Sequence, residues 1–285
     1  MAMKRVKFNY SGLMCPVFSA FANDSKRTIR FDVIDKYANW LKQKGVNGVL
    51  VNGTTGEGVC QRTDERMRSL EEWLKSCRKY DLKCMVHIGG TSIANVYDLA
   101  EHAEKSGADA VLCLPELFFK PTCEEDLVDY LKKVAEHCPT RPLFYYHFPA
   151  FSKVNLWMPR LCDLAEKEIP TFGGIKFSNS DLNEGSACLK EGRKVFLGSN
   201  TVFCGALALG FDSAILVSLN VFPELAQQIY AAVQENRWKD AQEAQEKLTA
   251  RFNACGTALR SEFNRINSDF DCGPSRKPLL NLNKK

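Results

Sequence analysis

Eight short, apolar, β-rich runs recur along this 285-residue chain, separated by longer stretches of helical periodicity. They centre on Leu13–Val17, Gly48–Asn52, Cys84–Ile88, Ala110–Leu114, Leu143–Tyr146, Gly174–Phe177, Val195–Gly198 and Ala214–Ser218. Credible helices lie between most of them. Ile34, Tyr37, Ala38 and Leu41 form one stripe, with Gly45 placed to stop it. Val96, Leu99, Ala100 and Ala103 form another, ending near Gly107. Thr122–Glu125 reads as a capping box before Leu127, Tyr130, Leu131 and Val134. Met67/Leu70/Leu74 and Leu225/Ile229/Val233 repeat the pattern. Strands alternating with helices imply parallel βαβ units. Eight of them fit an α/β (β/α)8 TIM barrel better than an open doubly wound sheet.

The length prior allows one or two domains. Surface scaling for 32.1 kDa predicts that folding buries about three quarters of the unfolded chain's surface, enough for a large core without staples. Residues 1–285 therefore read as a single domain: barrel over about 10–235, a C-terminal helical extension over about 236–265, and a tail over 266–285. Trp238–Phe263 has almost no turn signals and reads as additional helix, packing on the barrel or on a neighbour through Trp238, Ala241, Leu248, Phe252, Cys255 and Leu259.

Several classes are disfavoured. Lys and Arg exceed Asp and Glu by only 4, and no long basic run interleaves with aromatics, which argues against nucleic acid. No apolar run approaches the roughly 20 residues that a membrane span needs. The segment Met1–Lys7 lacks the apolar core of a signal peptide. The twelve cysteines show no CxxC spacing, and His87, His102, His137 and His147 are scattered. Disulfides, a metal site and a cofactor are not expected, and the cysteines read as small core hydrophobes in a reducing cytoplasm.

In such a barrel, chemistry belongs to the C-terminal ends of the strands. Three places stand out. Gly53-Thr54-Thr55-Gly56-Glu57-Gly58 combines backbone amides freed by glycines with two hydroxyls, which suits a carboxylate or phosphate. A tight βα turn with a helix cap would look the same. Tyr145-Tyr146-His147-Phe148-Pro149 closes the fifth strand, where a phenol can move a proton or simply fill an aromatic layer. His147 reads as a hydrogen-bonded rim or packing residue. Lys176 ends the sixth strand in Gly173-Gly174-Ile175-Lys176-Phe177-Ser178. A desolvated lysine amine sheds its proton more readily and can attack a carbonyl carbon. A strand-end lysine can equally reach out to solvent.

Together these places resemble the N-acetylneuraminate lyase and dihydrodipicolinate synthase family of class I aldolases. The resemblance runs from Gly12 to Gly273-Pro274-Ser275-Arg276-Lys277-Pro278-Leu279. Its marks are the Gly-Thr-Thr-Gly-Glu loop, Tyr-x-x-Pro at Tyr146–Pro149 and Gly-x-Lys at Gly174–Lys176. The wording of residues 145–150 and 176–178 is most similar to animal N-acetylneuraminate lyases. The resemblance implies that Lys176 forms a Schiff base with the 2-oxo carbon and Tyr146 shuttles the proton. It also implies that Thr54 and Thr55 bind the carboxylate, that Ser178 faces the substrate, and that Glu57 is structural. A homotetramer is implied as well.

The departures bear on specificity. Sialic acid lyases carry Gly-x-Asp-Glu after the seventh strand to bind sugar hydroxyls; here Gly198-Ser199-Asn200-Thr201 stands there. Val217 matches a family serine, and Phe118 matches a relay tyrosine of the synthases. Phe151 and Ser152 occupy the region of a synthase arginine, which disfavours synthase activity. The expectation is reversible cleavage of a 2-oxo sugar acid to pyruvate and an aldehyde, with Gly198, Asn200 and Thr201 lining the sugar side. N-acetylneuraminate, giving N-acetylmannosamine, leads. The same chemistry on another 2-oxo acid, or a catalytically silent ligand-binding barrel, are the alternatives.

Overall fold

The computed structural model describes residues 6–279. Eight parallel strands follow one another in sequence order and close into a barrel. The first half runs β1 (Gly12–Pro16), α1 (Ile34–Gln43), β2 (Gly48–Val51), α2 (Thr63–Tyr80), β3 (Lys83–His87), α3 (Ile93–Ser106), β4 (Ala110–Cys113) and α4 (Glu124–Glu136). Then come β5 (Leu143–His147), α5 (Pro149–Ser152), α6 (Met158–Glu168), β6 (Phe172–Phe177), α7 (Leu182–Ala187), β7 (Lys194–Leu197), α8 (Phe203–Ala208) and β8 (Ser213–Ile215). Helices α9 (Pro223–Gln234), α10 (Trp238–Cys255) and α11 (Leu259–Ile266) complete the order. The strands are nearly all buried, as a parallel sheet covered by helices must be.

The chain groups into two units: residues through Gly12 with Met85–Ile215, and Leu13–Cys84 with residues from Leu216 onward. In the first, Phe8, Tyr10, Phe144 and Phe196 pack ring on ring at 5.5–6.2 Å where β5 and β7 begin. In the second, Tyr37 packs among Trp73, Phe263 and Phe270, its centroid 4.8 Å from Phe263. Burying one such ring contributes about 1.5–3 kcal/mol, so this cluster seats α11 on α1.

Three sequence expectations are corrected. The eighth run was expected to be strand to Ser218, but β8 stops at Ile215 and Val217–Asn220 winds into a 3-10 turn. Buried Asn220 imposes that turn by donating from its side-chain amide to the Pro16 and Val217 carbonyls, each at 3.0 Å. The Thr122–Glu125 capping box does not form. Asp126 reaches back instead, accepting from Thr122 N at 3.2 Å and Oγ1 at 3.0 Å, while Glu125 pairs with Arg160 of α6. The expected helix over Trp238–Phe263 breaks at Gly256, whose φ of +49° lies outside the helical region. Of the expected tail over 266–285, residues from 280 lie outside the described part.

Candidate active site

Period-2 alternation along β5 puts Tyr146 and Phe148 on one face and Tyr145 and His147 on the other. The rings report it: Tyr146 stacks on Phe148 at 5.6 Å with 19° between planes, and Tyr145 lies 6.2 Å from His147. Tyr146 is the register partner of Lys176 on β6. A bulge sets that register, because Leu143 pairs with Phe172 while Phe144 pairs with Gly174. Glycine is required in it. Gly174 has φ +134°, and a Cβ there would stand 1.9 Å from the Lys194 carbonyl oxygen. A one-residue slip would turn Lys176 to the opposite face.

Lys176 is only 5% exposed, and its Nζ donates to Tyr146 Oη at 3.0 Å. The same nitrogen lies 4.1 Å from the Tyr146 ring centroid. His87, from the end of β3, meets the Tyr146 ring nearly edge-on at 5.9 Å and 83°. An amine, a phenol and an imidazole thus converge inside the strand ends, with almost no access to water. Such a constellation can form an imine at the amine and pass a proton through the phenol.

Beyond β6, Ser178 N donates to the His147 carbonyl at 2.8 Å. Beyond β7, Gly198 N donates to the Phe177 carbonyl at 2.7 Å. These two loops touch. A Cβ on Gly198 would meet Ser178 Oγ at 2.1 Å, so glycine is what admits the serine. Ser180 and Ser199 hydroxyls lie 3.2 Å apart, and Ser199 and Thr201 hydroxyls 3.5 Å apart. Asn200 is buried and Thr201 half-buried. The first unit therefore brings together Lys176, Tyr146, Ser178, Gly198, Asn200 and Thr201 on adjacent strand ends.

Thr54 and Thr55 belong to the second unit, in the turn after β2. Thr54 is exposed and Thr55 half-buried, while Gly56, Glu57 and Gly58 are buried. The turn closes by Gly58 N to the Gly53 carbonyl at 3.2 Å, and the Gly56 carbonyl accepts from Ser19 Oγ and Gln61 Nε2 at 2.7 Å each. Val217 is half-buried at the start of its 3-10 turn.

His147 is a packing residue on the helix-facing side, stacked on Phe177 at 5.2 Å. It is not hydrogen-bonded as expected: neither ring nitrogen has a partner among the described residues. Burial pushes its pKa down to about 4, so the ring is neutral. A separate cavity of about 970 Å³ opens at the opposite strand ends, beside Tyr10, Gly173, Arg193 and Lys194. The Arg193 guanidinium there is already engaged by Glu166, Asp163 and the Cys188 carbonyl.

A model of the dihydrodipicolinate synthetase family matches residues 9–268. The chain belongs to that family. Within the dihydrodipicolinate synthetase family it is similar to N-acetylneuraminate lyase A of Xenopus laevis, at 34% identity over 99% of this chain and 93% of that one. Human N-acetylneuraminate lyase is 31% identical over 90% of this chain and 83% of its own. The solved N-acetylneuraminate lyase (sialic acid aldolase) of Aliivibrio salmonicida superposes with a TM-score of 0.88 at 31% identity, covering 95% and 91% of the two chains. For this family member, sequence reasoning missed His87 and Phe148 as neighbours of Tyr146. The signal available for Phe148 was its i+2 spacing from Tyr146. His87 had none, because only barrel closure brings β3 to face β5.

Proposed function

We propose that this chain is a class I aldolase that reversibly cleaves a 2-oxo acid to pyruvate and an aldehyde, in the manner of an N-acetylneuraminate lyase. The 3.0 Å contact from Lys176 Nζ to Tyr146 Oη carries the reading. Lys176 attacks the 2-oxo carbon and water leaves, forming a protonated imine. The Tyr146 oxygen relays the proton from the C4 hydroxyl as the C3–C4 bond breaks. The imine accepts the electron pair as an enamine, which takes a proton at C3 and is hydrolysed to pyruvate. Thr54 and Thr55 are assigned to the carboxylate by resemblance, Ser178 and Gly198 to the substrate's flank, and Asn200 and Thr201 to its distal end. No cofactor enters these steps. With this reading go a homotetramer, a cytoplasmic location, and small-molecule partners rather than nucleic acid or membrane.

The retained Lys176–Tyr146 pair favours catalysis over a silent ligand-binding barrel, which needs no nucleophile beside a proton carrier. Borohydride reduction in the presence of pyruvate, followed by peptide mass mapping, tests the reading. One reduced pyruvyl adduct on Lys176 is expected. An unmodified chain, or label spread over surface lysines, defeats it.

A further inference from the structure

We infer that the aldehyde half of the substrate is a flat apolar group, an aryl ring or conjugated equivalent, held against Phe148 and Phe151. The inference rests on the aldolase reading of Lys176 and specifies its substrate class. Three rings make a ladder leading out from the amine. Lys176 Nζ lies over the Tyr146 ring, Tyr146 stacks on Phe148 at 5.6 Å and 19°, and Phe148 meets Phe151 at 4.6 Å and 35°. Exposure rises along it, from buried Tyr146 through half-buried Phe148 to Phe151, which is 71% exposed. Strand periodicity carried one residue past β5 fixes the first step, since Tyr146 and Phe148 stand two positions apart. The short α5 fixes the second: Phe151 N and Ser152 N both donate to the Phe148 carbonyl, at 3.1 and 2.9 Å.

A substrate joined to Lys176 at C2 must bring its C4 hydroxyl to Tyr146 Oη, 3.0 Å from the amine, which sets its C4 substituent beside the ladder that starts at Tyr146. A polyol there would leave its hydroxyls against hydrocarbon. Carboxylate acceptors are scarce: the segments following β4 to β7 carry Glu116 and Asp181 alone. Asp181 caps α7, accepting from Asn183 N at 3.0 Å and Glu184 N at 3.2 Å. Glu116 is half-buried and lies toward Tyr130 of α4, with its Oε2 buried and without a hydrogen-bond partner among the described residues. Tyr130 sits on the helix side of β4, 3.5 Å from Cys113 Sγ. A flat ring instead meets the half-buried edge of Phe148 and covers Phe151, whose exposed face is otherwise unfavourable.

The reaction is a retro-aldol on a 4-aryl-4-hydroxy-2-oxobutanoate. Its C3–C4 bond breaks, the C4 hydroxyl becomes the carbonyl of an aryl aldehyde, and pyruvate leaves after hydrolysis of the imine, with no net redox change. The test compares kcat/KM for 4-hydroxy-4-phenyl-2-oxobutanoate, 4,5-dihydroxy-2-oxopentanoate and N-acetylneuraminate. It uses the intact chain and the variants Phe148→Leu and Phe151→Leu, with the borohydride–pyruvate adduct measured alongside. The phenyl substrate should lead both others by tenfold or more. Each variant should lower the phenyl-to-aliphatic ratio by several-fold, up to about tenfold. An adduct on Lys176 with no phenyl preference, or a ratio that neither variant moves, overturns the inference and leaves the aldolase reading standing. Absence of the adduct overturns both.

Discussion

Arg260 donates to Glu57 Oε1 at 2.6 Å, and both side chains are buried. The other carboxylate oxygen accepts from Arg276 N at 2.8 Å. The Arg276 guanidinium continues to Glu65 at 2.7 Å and to the carbonyls of Cys60 and Arg27. Glu57 itself holds a left-handed backbone, with φ +54°. Helix α11 and the chain beyond it thus grip, from behind, the turn that carries Thr54 and Thr55.

Removing one partner of such a buried pair strands the other charge without solvent. Glu57→Ala should therefore lose about 3–5 kcal/mol of unfolding free energy. Equilibrium urea denaturation measures this. A loss under about 1 kcal/mol, the size of an exposed pair, would mean that water reaches Arg260 in the folded state.

Tyr146→Phe removes one oxygen and keeps the ring between His87 and Phe148. The melting temperature should hardly move, while turnover falls by roughly 10²–10⁴, the range for a lost acid–base group. Steady-state pyruvate release reads the effect, and near-normal turnover would transfer the proton to another group.

His147 binds its proton near pH 6.5 when unfolded but only near pH 4 when folded. Between those values the unfolded chain holds more protons, so stability contributed by the neutral ring declines as pH falls from 6.5 to 4 and levels off below. The full decline is about 3 kcal/mol. His147→Phe should flatten that part of the stability–pH curve, measured by denaturation at pH 7, 5.5 and 4.5. An unchanged slope would mean that the buried imidazole takes up its proton in place.

Asn200→Asp with Thr201→Glu restores charged acceptors on the strand end beside Ser178. Each charge-assisted bond to a sugar hydroxyl is worth about 1.5–3 kcal/mol. Two should raise kcat/KM for N-acetylneuraminate by roughly 10²–10⁴. No gain in a pyruvate-release assay would place sugar recognition on other residues.

The strand–helix rhythm, and hence the barrel, was legible because each element's period is written locally: apolar runs for buried strands, stripes for helices. The placement of Lys176 and Tyr146 at strand ends, where barrel chemistry belongs, was legible for a related reason. Where local signals competed with distant partners, sequence reading failed. Asp126 rather than Glu125 closes on Thr122 because Arg160 of α6 draws Glu125 away. Asn220 turns the chain after β8 because the Pro16 carbonyl needs a donor. By itself the sequence determined which residues are strand and helix and marked Lys176 as the candidate nucleophile, since these depend on neighbours a few positions apart. Only the tertiary structure decided the pairing of Lys176 with Tyr146, the Tyr146–Phe148–Phe151 ladder leading from it, and the grip of Arg260 and Arg276 on Glu57. Those depend on strand register and on contacts between residues as much as 219 positions apart, for which a linear chain carries no local signal.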